Sequence, residues 1–328
     1  MADPAAPRSV LVTGGAGFVG ANLVRRLTAD GCAVRVLDNL VTGRAAYLDG
    51  LDVDLVTGDI RDGDAVADAM RGVAAVVHLA AAGSVVESVA DPWTNFEHNV
   101  RGTLTVLDAA RRAGVERMVF SSTGGALIGD APPPVDENSV PRPLSPYGAS
   151  KAAAEAYCHA FARSYGLRTV ALRFANVYGP FSGHKKGAVT VFFRALAAGE
   201  PIVVYGDGSA SRDFMYVDDI ARALRLALTG DLPGGTVMHV ATGVETSVLT
   251  LAHACRLLAG RPDHPVEFRP PRPGEVGRNF ARYDLAAALT GFAPTVDLRD
   301  GLARTWAWYA EHVFVADSPY AAGQLTDA

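Results

Sequence analysis

The segment VTGGAGFVG, residues 12–20, leaves a run of buried-type residues and enters a segment with helical spacing of its apolar residues. Its glycines Gly14, Gly17 and Gly20 have the spacing GxxGxxG. In such a strand–turn–helix the first glycine permits a tight turn, the second lets the backbone approach a pyrophosphate, and the third allows close helix–strand packing. The phosphates would lie on the free N–H groups at the helix N-terminus. The segment therefore predicts the first β–α unit of a dinucleotide-binding sheet.

Apolar runs rich in β-branched residues recur through the first half of the chain, separated by segments with helical spacing. The predicted strands are residues 9–14, 33–39, 53–59, 74–80, 117–122 and 168–174, and the first helix is residues 18–31. These runs lack polar alternation, which is typical of a parallel sheet that is covered on both faces. Right-handed crossovers then give an α/β fold with a doubly wound parallel sheet, the Rossmann arrangement.

After about residue 176 the pattern changes, and Pro and Gly become more frequent. We interpret residues 1–175 as the dinucleotide-binding domain and residues 176–328 as a smaller, loop-rich substrate lobe. The run VMHVAT (237–242) predicts a strand that returns to the main sheet, so the two parts should interleave. The first eight residues and the last dozen are predicted to be loose tails.

The composition indicates an ordinary globular protein and excludes some classes. Of 328 residues, 49% are hydrophobic and 20% are charged, and the net charge of −5 argues against a general nucleic-acid binder. Cys32, Cys158 and Cys255 are odd in number and widely spaced, which predicts a reducing compartment and no structural zinc or other metal. No signal-type segment opens the chain, and no apolar run approaches the ~20 residues that span a bilayer. We expect a cytoplasmic protein without a membrane partner.

Acidic residues end the second and third predicted strands. Asp38 stands where a carboxylate can accept hydrogen bonds from an adenosine ribose. Its charge would repel a 2′-phosphate, which favours NAD over NADP. In GDIRD (58–62), Asp59 and Ile60 suit the edge and the face of an adenine, although Asp59 could equally be a turn or helix-cap residue.

Hydroxyl residues and a tyrosine–lysine pair follow the fifth predicted strand. FSSTGGALIGD (120–130) places Ser122 and Thr123 at the carboxyl end of that strand, where ligands of doubly wound sheets bind. Tyr147 and Lys151 are four residues apart and share a helical face. A tyrosine with a pKa of ~10 is a poor base, but a nearby ammonium and an oxidised nicotinamide ring would lower that pKa. Lys151 could thus make Tyr147 a usable base and also hold a nicotinamide ribose; the alternative is a surface helix with an ordinary lysine.

Together the motifs carry a family resemblance. They are VTGGAGFVG, Asp38, GDIRD, HLAA (78–81), HNVRGT (98–103), SST (121–123) and YGASK (147–151). In this order and at these distances they resemble the extended short-chain dehydrogenase/reductase family over nearly the whole chain. Within it they are most similar to nucleotide-sugar epimerases of the UDP-glucose/UDP-galactose 4-epimerase type.

This resemblance implies NAD as the cofactor, a nucleotide sugar as the substrate and a catalytic set of Thr123, Tyr147 and Lys151. The cofactor contacts that it implies are Gly14, Gly17, Phe18, Val19, Asp38, Asn39, Asp59, Ile60, Leu79, Ala80, Ser84, Asn99, Tyr147 and Lys151. It also implies a homodimer through helices near 95–113 and 147–165, although the apolar faces there could equally be packed within one chain.

The second half carries further motifs of the resemblance. RFANVYGP (173–180) resembles a substrate-binding turn with Asn176 facing the sugar diphosphate, and YGDGSASRDFMYVDDIA (205–221) resembles a segment that places Arg212 on it. RPGE (272–275) resembles a nucleotide-holding motif, with Arg272 on phosphate and Glu275 on ribose hydroxyls. Guanidinium groups match phosphate geometry with paired N–H donors, but an isolated arginine is more often a solvated charge.

Three places depart from the family pattern. Many relatives have Tyr where this chain has Ile128, so a contact at the sugar pocket is missing. SSTGG is one residue longer than the commonest version, which leaves Ser122, Thr123 and Gly124 as alternatives for the active position. We choose Thr123 as the active hydroxyl and assign Ser122 to substrate binding. His184, Lys185 and Lys186 would meet an anionic substrate group or form a solvated basic loop.

The residues after Thr123 discriminate between the reactions of the family. In relatives with dehydratase activity the Thr is followed by Asp-Glu, and decarboxylases keep a Glu, whereas here Gly124 and Gly125 follow and cannot exchange a proton. A 4-ketosugar reductase often prefers NADP, and the negative charge of Asp38 disfavours the 2′-phosphate of that cofactor. The resemblance therefore implies an NAD-dependent 4-epimerase acting on a UDP- or dTDP-linked hexose. A non-catalytic NAD-binding regulator is a further alternative, but it would have no need of Tyr147 and Lys151.

Overall fold

The computed structural model describes residues 7–271, 276–315, 318 and 320, so Arg272, Glu275 and most of the predicted tails lie outside the described residues. The strands are β1 (Ser9–Thr13), β2 (Ala33–Asp38), β3 (Val53–Thr57), β4 (Ala75–His78), β5 (Arg117–Thr123), β6 (Arg168–Phe174), β7 (Asn176–Tyr178), β8 (Ile202–Tyr205), β9 (Ser211–Arg212), β10 (Phe214–Tyr216), β11 (Thr236–Val240), β12 (Thr246–Ser247), β13 (Val266–Arg269) and β14 (Arg278–Asn279).

The helices are α1 (Phe18–Ala29), α2 (Gly63–Ala69), α3 (Val85–Ala90), α4 (Pro92–Phe96), α5 (Gly102–Arg112), α6 (Gly125–Ile128), α7 (Pro146–Tyr165), α8 (Ala188–Ala198), α9 (Val217–Thr229), α10 (Val248–Leu258), α11 (Asp284–Thr290) and α12 (Leu298–His312). A 3₁₀ turn covers Ala45–Leu48, and a π-helical segment, Glu97–Arg101, joins α4 to α5. Within the described residues, no helix is both long and apolar enough to cross a membrane.

The main sheet is parallel, with the strand order β11-β6-β5-β4-β1-β2-β3. The chain winds outward from β1 in one direction through β2 and β3, and then in the other through β4, β5 and β6. This is the doubly wound arrangement predicted from the sequence. The strand order reverses between β1 and β4, and ligands bind outside the carboxyl ends of the strands at such a switch point.

Helices cover both faces of this sheet. On one face Leu23 and Val24 of α1 pack with Ile220 and Leu224 of α9 in one apolar core. On the other face α2, α5 and α7 contribute Val66, Val106, Ala154 and Cys158 to a second core. Burial on both faces explains why the strands read as continuous apolar runs.

The second half of the chain supplies more of the main domain than a simple two-part division predicts. The returning strand is confirmed as β11, which pairs with β6 at the sheet edge. In addition, α9 packs on α1, and Ala286 of α11 joins the same core. The apolar spacing of a helix shows that one face is buried but not which element covers that face. The sequence therefore could not show that α9 and α11 pack on the main sheet.

The remaining elements form a smaller lobe with its own core. It contains the strand groups β7–β10, β9–β12–β14 and β8–β13, together with α8, α10 and α12. Phe192, Phe193, Leu251 and Tyr309 are buried at its centre.

Asp213 fixes this lobe to the main sheet. Its buried carboxylate accepts the N–H groups of Thr242 and Gly243 at 2.9–3.1 Å, just beyond β11. Its backbone carbonyl accepts the N–H of Asn176 at 2.8 Å. Two of the predicted substrate residues, Asn176 and Arg212, which precedes Asp213, are thereby held at the carboxyl edge of the main sheet.

Candidate active site

The glycine loop forms a tightly packed cradle between β1 and α1. Gly14 has φ +70°, and a Cβ there would lie 2.7 Å from the backbone nitrogen of Ala80. A Cβ on Gly20 would come within 2.6 Å of Gly15 Cα, so α1 packs directly on the loop. The N-cap Gly17 meets only the Gly14 carbonyl, at 3.2 Å, which leaves its outer side open for a ligand. This geometry fits the turn predicted at Gly14 and the close packing predicted at Gly20, while the approach of a pyrophosphate to Gly17 stays a prediction.

Phe18 and Val19 form the first turn of α1, where N–H groups have no intrahelical partner. The Phe18 side chain is buried with Ala21 and Tyr47, so only its backbone can serve an anion. A helix N-terminus beside an open glycine suits a diphosphate, because the helix dipole and the N–H groups both favour negative charge.

Asp38 lies at the end of β2 directly beside this cradle. One carboxylate oxygen accepts the N–H of Ala16 at 3.0 Å, and the other accepts that of Leu40 at 2.9 Å. Burial raises the pKa of Asp38, and the two backbone N–H groups oppose the rise. Each oxygen keeps a second lone pair for a ribose hydroxyl, so the residues present fit NAD.

Asp59 and Asn39 form a hydrogen-bonded group at the ends of β2 and β3. Asn39 Nδ2 donates to Asp59 at 3.2 Å, and the Arg61 guanidinium pairs with the same carboxylate at 2.8 Å. This pairing holds the pKa of Asp59 well below its usual range. Asp59 also accepts the N–H of Arg61, as a turn residue would, and Ile60 is buried in the core. Contact of Asp59 and Ile60 with adenine remains a prediction.

The loop after β4 lies at the switch point of the sheet, and hydrogen bonds from Asn99 hold it in place. Asn99 accepts the N–H of Ala82 at 2.8 Å, donates to its carbonyl at 3.1 Å and donates to Ser150 Oγ at 3.0 Å. Ser84 caps α3 by accepting the N–H of Glu87 at 3.2 Å. Because the Asn99 amide is committed to these protein groups, it fixes the loop, and its place near the cofactor stays a prediction.

His78 is a structural residue of this region whose role the sequence did not reveal. Its Nδ1 lies 2.6 Å from Thr13 Oγ1 and its Nε2 lies 3.0 Å from Thr103 Oγ1, so it joins β1, β4 and α5. Burial and the charge of Lys151 lower its pKa to about 3, and the ring is therefore neutral. Leu79 and Ala80, which follow it, lie against β1 and the glycine loop.

Thr123 and Tyr147 meet at the carboxyl end of β5. The Thr123 hydroxyl acts on the Tyr147 phenol and lowers its pKa, whereas Ser122 is buried and its Oγ has no partner among the described residues. Thr123 is the last residue of β5 and Tyr147 lies in the first turn of α7, so the two meet where the strand ends. The structure therefore brings Thr123, rather than Ser122 or Gly124, to the tyrosine.

The predicted lowering of the Tyr147 pKa is not produced by the described residues. Burial raises the pKa of Tyr147 to about 12, and the hydrogen bond from Thr123 opposes this only in part. Desolvation, which the local sequence does not reveal, disfavours a phenolate here, and a lowering of the pKa by bound NAD stays a prediction.

Lys151 is a buried lysine and not the surface residue of the alternative interpretation. Its Nζ donates to the Ser121 carbonyl at 2.8 Å and lies 4.7 Å from the centre of the Phe120 ring. Burial lowers its pKa to about 8, while Cys158 and Glu155 act in the opposite direction.

The glycines after Thr123 lie close to two polar side chains. A Cβ on Gly124 would be 3.2 Å from the His239 ring, and one on Gly125 would be 3.0 Å from Asn279 Oδ1. Neither His239 nor Asn279 was predicted from the sequence. A polar residue inside the apolar run VMHVAT was the available signal for His239. An acidic pair at positions 124 and 125 would require these neighbours to move.

Two of the predicted substrate residues, Asn176 and Arg212, lie on the short strands β7 and β9 of the smaller lobe, and their contact with a substrate stays a prediction. Asn176 is exposed at the start of β7, and Arg212 Nη1 donates to the Ser211 carbonyl at 2.8 Å. Ile128 is fully buried in a small apolar cluster and is thus a core residue. No group of three or more His, Cys, Asp or Glu side chains suited to a metal occurs in the part of the chain that the structure describes.

The basic loop contacts the dinucleotide-binding domain. His184 Nδ1 lies 3.4 Å from Tyr47 Oη, and Lys186 lies 3.4 Å from Glu87. Lys185 Nζ comes 4.0 Å from the Cβ position of Gly83. Two of these three side chains are thus paired with protein groups rather than only solvated.

Comparisons with known proteins agree with this geometry. The model of the NAD dependent epimerase/dehydratase family matches residues 10–241. UDP-glucose 4-epimerase of Mycolicibacterium smegmatis is 41% identical over 308 residues, covering 90% of this chain and 96% of that protein. The dTDP-glucose 4,6-dehydratase of Streptomyces niveus is 35% identical, covering 92% and 93%.

A solved structure gives the same result at the level of the fold. The crystal structure of the Thermus thermophilus UDP-glucose 4-epimerase in complex with NAD superposes with a TM-score of 0.88 and 40% identity, covering 93% of this chain and 100% of that one. With its doubly wound sheet, its glycine cradle and its Thr–Tyr–Lys set, the chain belongs to the NAD dependent epimerase/dehydratase family.

Proposed function

We propose that the protein is an NAD-dependent 4-epimerase of a UDP- or dTDP-linked hexose. The observation that carries the proposal is the contact of Thr123 with Tyr147 near the buried Lys151, followed by two glycines that carry no acid. Relatives named as 4-epimerases and as a dehydratase share the fold, so the residues of the site must decide between the reactions.

In the proposed reaction, NAD held by the glycine loop and Asp38 would supply the acceptor, and later the donor, of the hydride at C4 of the sugar. Tyr147 takes the proton of the C4 hydroxyl as the ketone forms, and it gives the proton back after the ketosugar has rotated. Thr123 donates a hydrogen bond to the phenolate or to the reacting oxygen. Lys151 supplies a positive charge beside Tyr147, which favours the phenolate against the cost of its burial.

A 4,6-dehydratase or a decarboxylase is the second candidate because the dehydratase of Streptomyces niveus is so similar. Both reactions need another acid/base group near Thr123. Gly124 and Gly125 supply none, and His239 beside them has a pKa lowered to about 4 by burial, chiefly, and by the Arg173 charge. A ketosugar reductase that uses NADP would bind the 2′-phosphate of NADP near Asp38. The negative charge of the Asp38 carboxylate would repel that phosphate.

The experiment is an assay of the purified protein by NMR or capillary electrophoresis with no added cofactor. The substrates are UDP-glucose, UDP-glucuronate, UDP-N-acetylglucosamine and dTDP-glucose. We expect one or more of them to be converted to its C4 epimer without net NADH. A ketosugar product, or turnover only with added NAD(P)H, would instead identify a dehydratase or a reductase. NAD binding without turnover of any of these substrates would indicate a non-catalytic, NAD-binding regulator.

We also propose a homodimer, which an exposed apolar surface supports. Val86, Val89 and Trp93 are 63–77% exposed on α3 and α4. Phe96 of α4 and Tyr157 of α7, a helix that packs on α4, are exposed as well. Soluble proteins rarely leave such groups of large apolar residues uncovered. Burial against the same helices of a second copy would cover them.

Replacing Trp93 with aspartate should therefore yield monomers, because a charge would be buried in the interface. Light scattering after gel filtration would give the mass of each variant. The matched control is Val244→Asp, which alters a 60% exposed residue of the smaller lobe and should remain dimeric. A native protein that is already monomeric at micromolar concentration would contradict the proposal.

A cytoplasmic location also remains our proposal. Cys32, Cys158 and Cys255 are all buried and unpaired, which suits a reducing compartment.

A further inference from the structure

A buried row of polar side chains lies under the catalytic turn. Ser122 of β5 is directly opposite Arg173 of β6, and Arg173 is directly opposite His239 of β11. Directly opposite residues of neighbouring strands project from the same face of a sheet. All three are at least nine-tenths buried. The face they share is that of α7, the helix that carries Tyr147 and Lys151.

Glu155 of α7 reaches down to this row. Arg173 Nη2 donates to Glu155 Oε2 at 2.8 Å, and Arg173 Nε donates to Oε1 at 3.0 Å. The two side chains are only 6% and 8% exposed, so both charges are removed from water. A buried ion pair is weak evidence for stability, because desolvation offsets the Coulomb attraction. A role other than stability must therefore explain the buried ion pair of Arg173 and Glu155.

The position of Glu155 indicates that function. It follows Lys151 by four residues on α7, a spacing that makes the two side chains neighbours on one face. Lys151 itself has no carboxylate as an ion-pair partner among the described residues and donates to the neutral Ser121 carbonyl. The Glu155 carboxylate is therefore the nearby negative charge that can offset the desolvation of the ammonium, while Arg173 fixes its orientation through two parallel hydrogen bonds.

The other groups around Lys151 do not carry charge near neutral pH. Burial lowers its pKa to about 8, and Cys158 and Glu155 raise it. However, burial raises the pKa of Cys158 to about 12, so its thiol is neutral. His78 and His239 are neutral as well, since burial lowers their pKa values to about 3 and about 4. Tyr147 is neutral too, with its pKa raised to about 12.

We propose that Glu155 and Arg173 are a positioning pair for Lys151: Glu155 keeps the buried Nζ charged, and Arg173 holds the Glu155 carboxylate in place. Neither residue touches the substrate, and both act through Lys151. The consequence for catalysis rests on the proposed function, but the effect on the charge of Lys151 does not.

The sign of the effect follows from the charges. Replacing Glu155 with glutamine removes the negative charge, so the ammonium becomes less stable and the pKa of Lys151 falls further. At pH 8 less of Lys151 is then protonated, and the alkaline limb of the activity profile moves to lower pH. Aspartate keeps the charge, so Glu155→Asp should restore most of the pKa even if the shorter side chain strains the pair.

The composition of the chain makes a direct measurement possible. The lysines are Lys151, Lys185 and Lys186 only. Protein labelled with [ε-13C]lysine therefore gives three side-chain signals, which Lys185→Arg and Lys186→Arg assign. Titration of the Lys151 signal between pH 6 and pH 11 reports its protonation without requiring turnover, so a protein that is not an epimerase would still test this inference.

We expect the Lys151 midpoint to fall by about one pH unit or more in Glu155→Gln, as is typical when an opposite charge nearby is removed. It should stay near the native value in Glu155→Asp. The half-buried Glu97, which lies outside α7 and pairs with Arg101, gives the control Glu97→Gln, which should leave the Lys151 midpoint unchanged. If Glu155→Gln does not fold, the double variant Glu155→Gln with Arg173→Gln removes both buried charges, and it should show a smaller fall in the same direction.

An unchanged Lys151 midpoint in Glu155→Gln, or in the double variant where that is the one that folds, would overturn the proposal. Equal losses of activity in Glu155→Gln and Glu155→Asp with unmoved pH profiles would also overturn it, because that pattern belongs to a purely structural ion pair.

Discussion

The variant Tyr147→Phe will lose about 10²- to 10⁴-fold in kcat, the range that one positioned acid/base group contributes. The phenol oxygen is the group that the structure joins to Thr123, and phenylalanine keeps the ring that packs at the start of α7. The variant should therefore fold with a native melting temperature and should retain the cofactor. Steady-state turnover, released NAD after denaturation and thermal unfolding give the three quantities.

The matched control for this prediction is Tyr165→Phe. Tyr165 ends the same helix and is 58% exposed, so removal of its hydroxyl should leave kcat within about twofold, since surface changes are usually near neutral. If Tyr147→Phe retained more than a tenth of native kcat, Tyr147 could not be the catalytic base.

The variant Gly14→Ala will lose the cofactor and a large part of its stability. A Cβ at this position meets the Ala80 backbone at 2.7 Å, and a backbone atom cannot move aside as a flexible side chain can. The residue also has φ +70°, which costs an alanine about 1–2 kcal/mol. Overpacking adds about 1–3 kcal/mol in the free energy of unfolding. Urea unfolding and the ratio of NAD to protein after purification measure both effects.

Gly31→Ala separates the two causes. Gly31 has φ +81° but no atom within 4 Å of its Cβ position, so it carries the conformational cost without the collision. We expect it to lose about 1–2 kcal/mol and to keep its NAD. Equal effects of the two substitutions on NAD content would mean that the close approach of Gly14 to Ala80 has no role in binding.

The fold could be predicted because its signals are local. The β-branched runs and the GxxGxxG segment report burial on two faces and a tight turn, and both are properties of a few consecutive residues. The parallel sheet and the return of β11 are confirmed. The membership of α9 and α11 in the main core was missed, since an amphipathic pattern does not identify the surface it covers.

The site could be predicted less completely, for a physical reason. The residue types and their spacing predicted that Thr123, Tyr147 and Lys151 lie in one site. However, the pKa of a buried group depends on desolvation by residues that are distant in sequence. The Tyr147 pKa is raised instead of lowered for that reason. Likewise, only the three-dimensional register reveals that His239 and Asn279 confine Gly124 and Gly125.

The central claim is that one hydride leaves C4 and returns to it within a single active site. The most direct measurement uses a nucleotide hexose deuterated at C4, chosen from the active substrates, with no added cofactor and with product analysis by NMR and mass spectrometry. We expect the C4 epimer to keep the deuterium and neither a ketosugar nor free NADH to accumulate. Loss of the label, accumulation of a ketosugar, or dependence of the reaction on added NAD(P)H would contradict it.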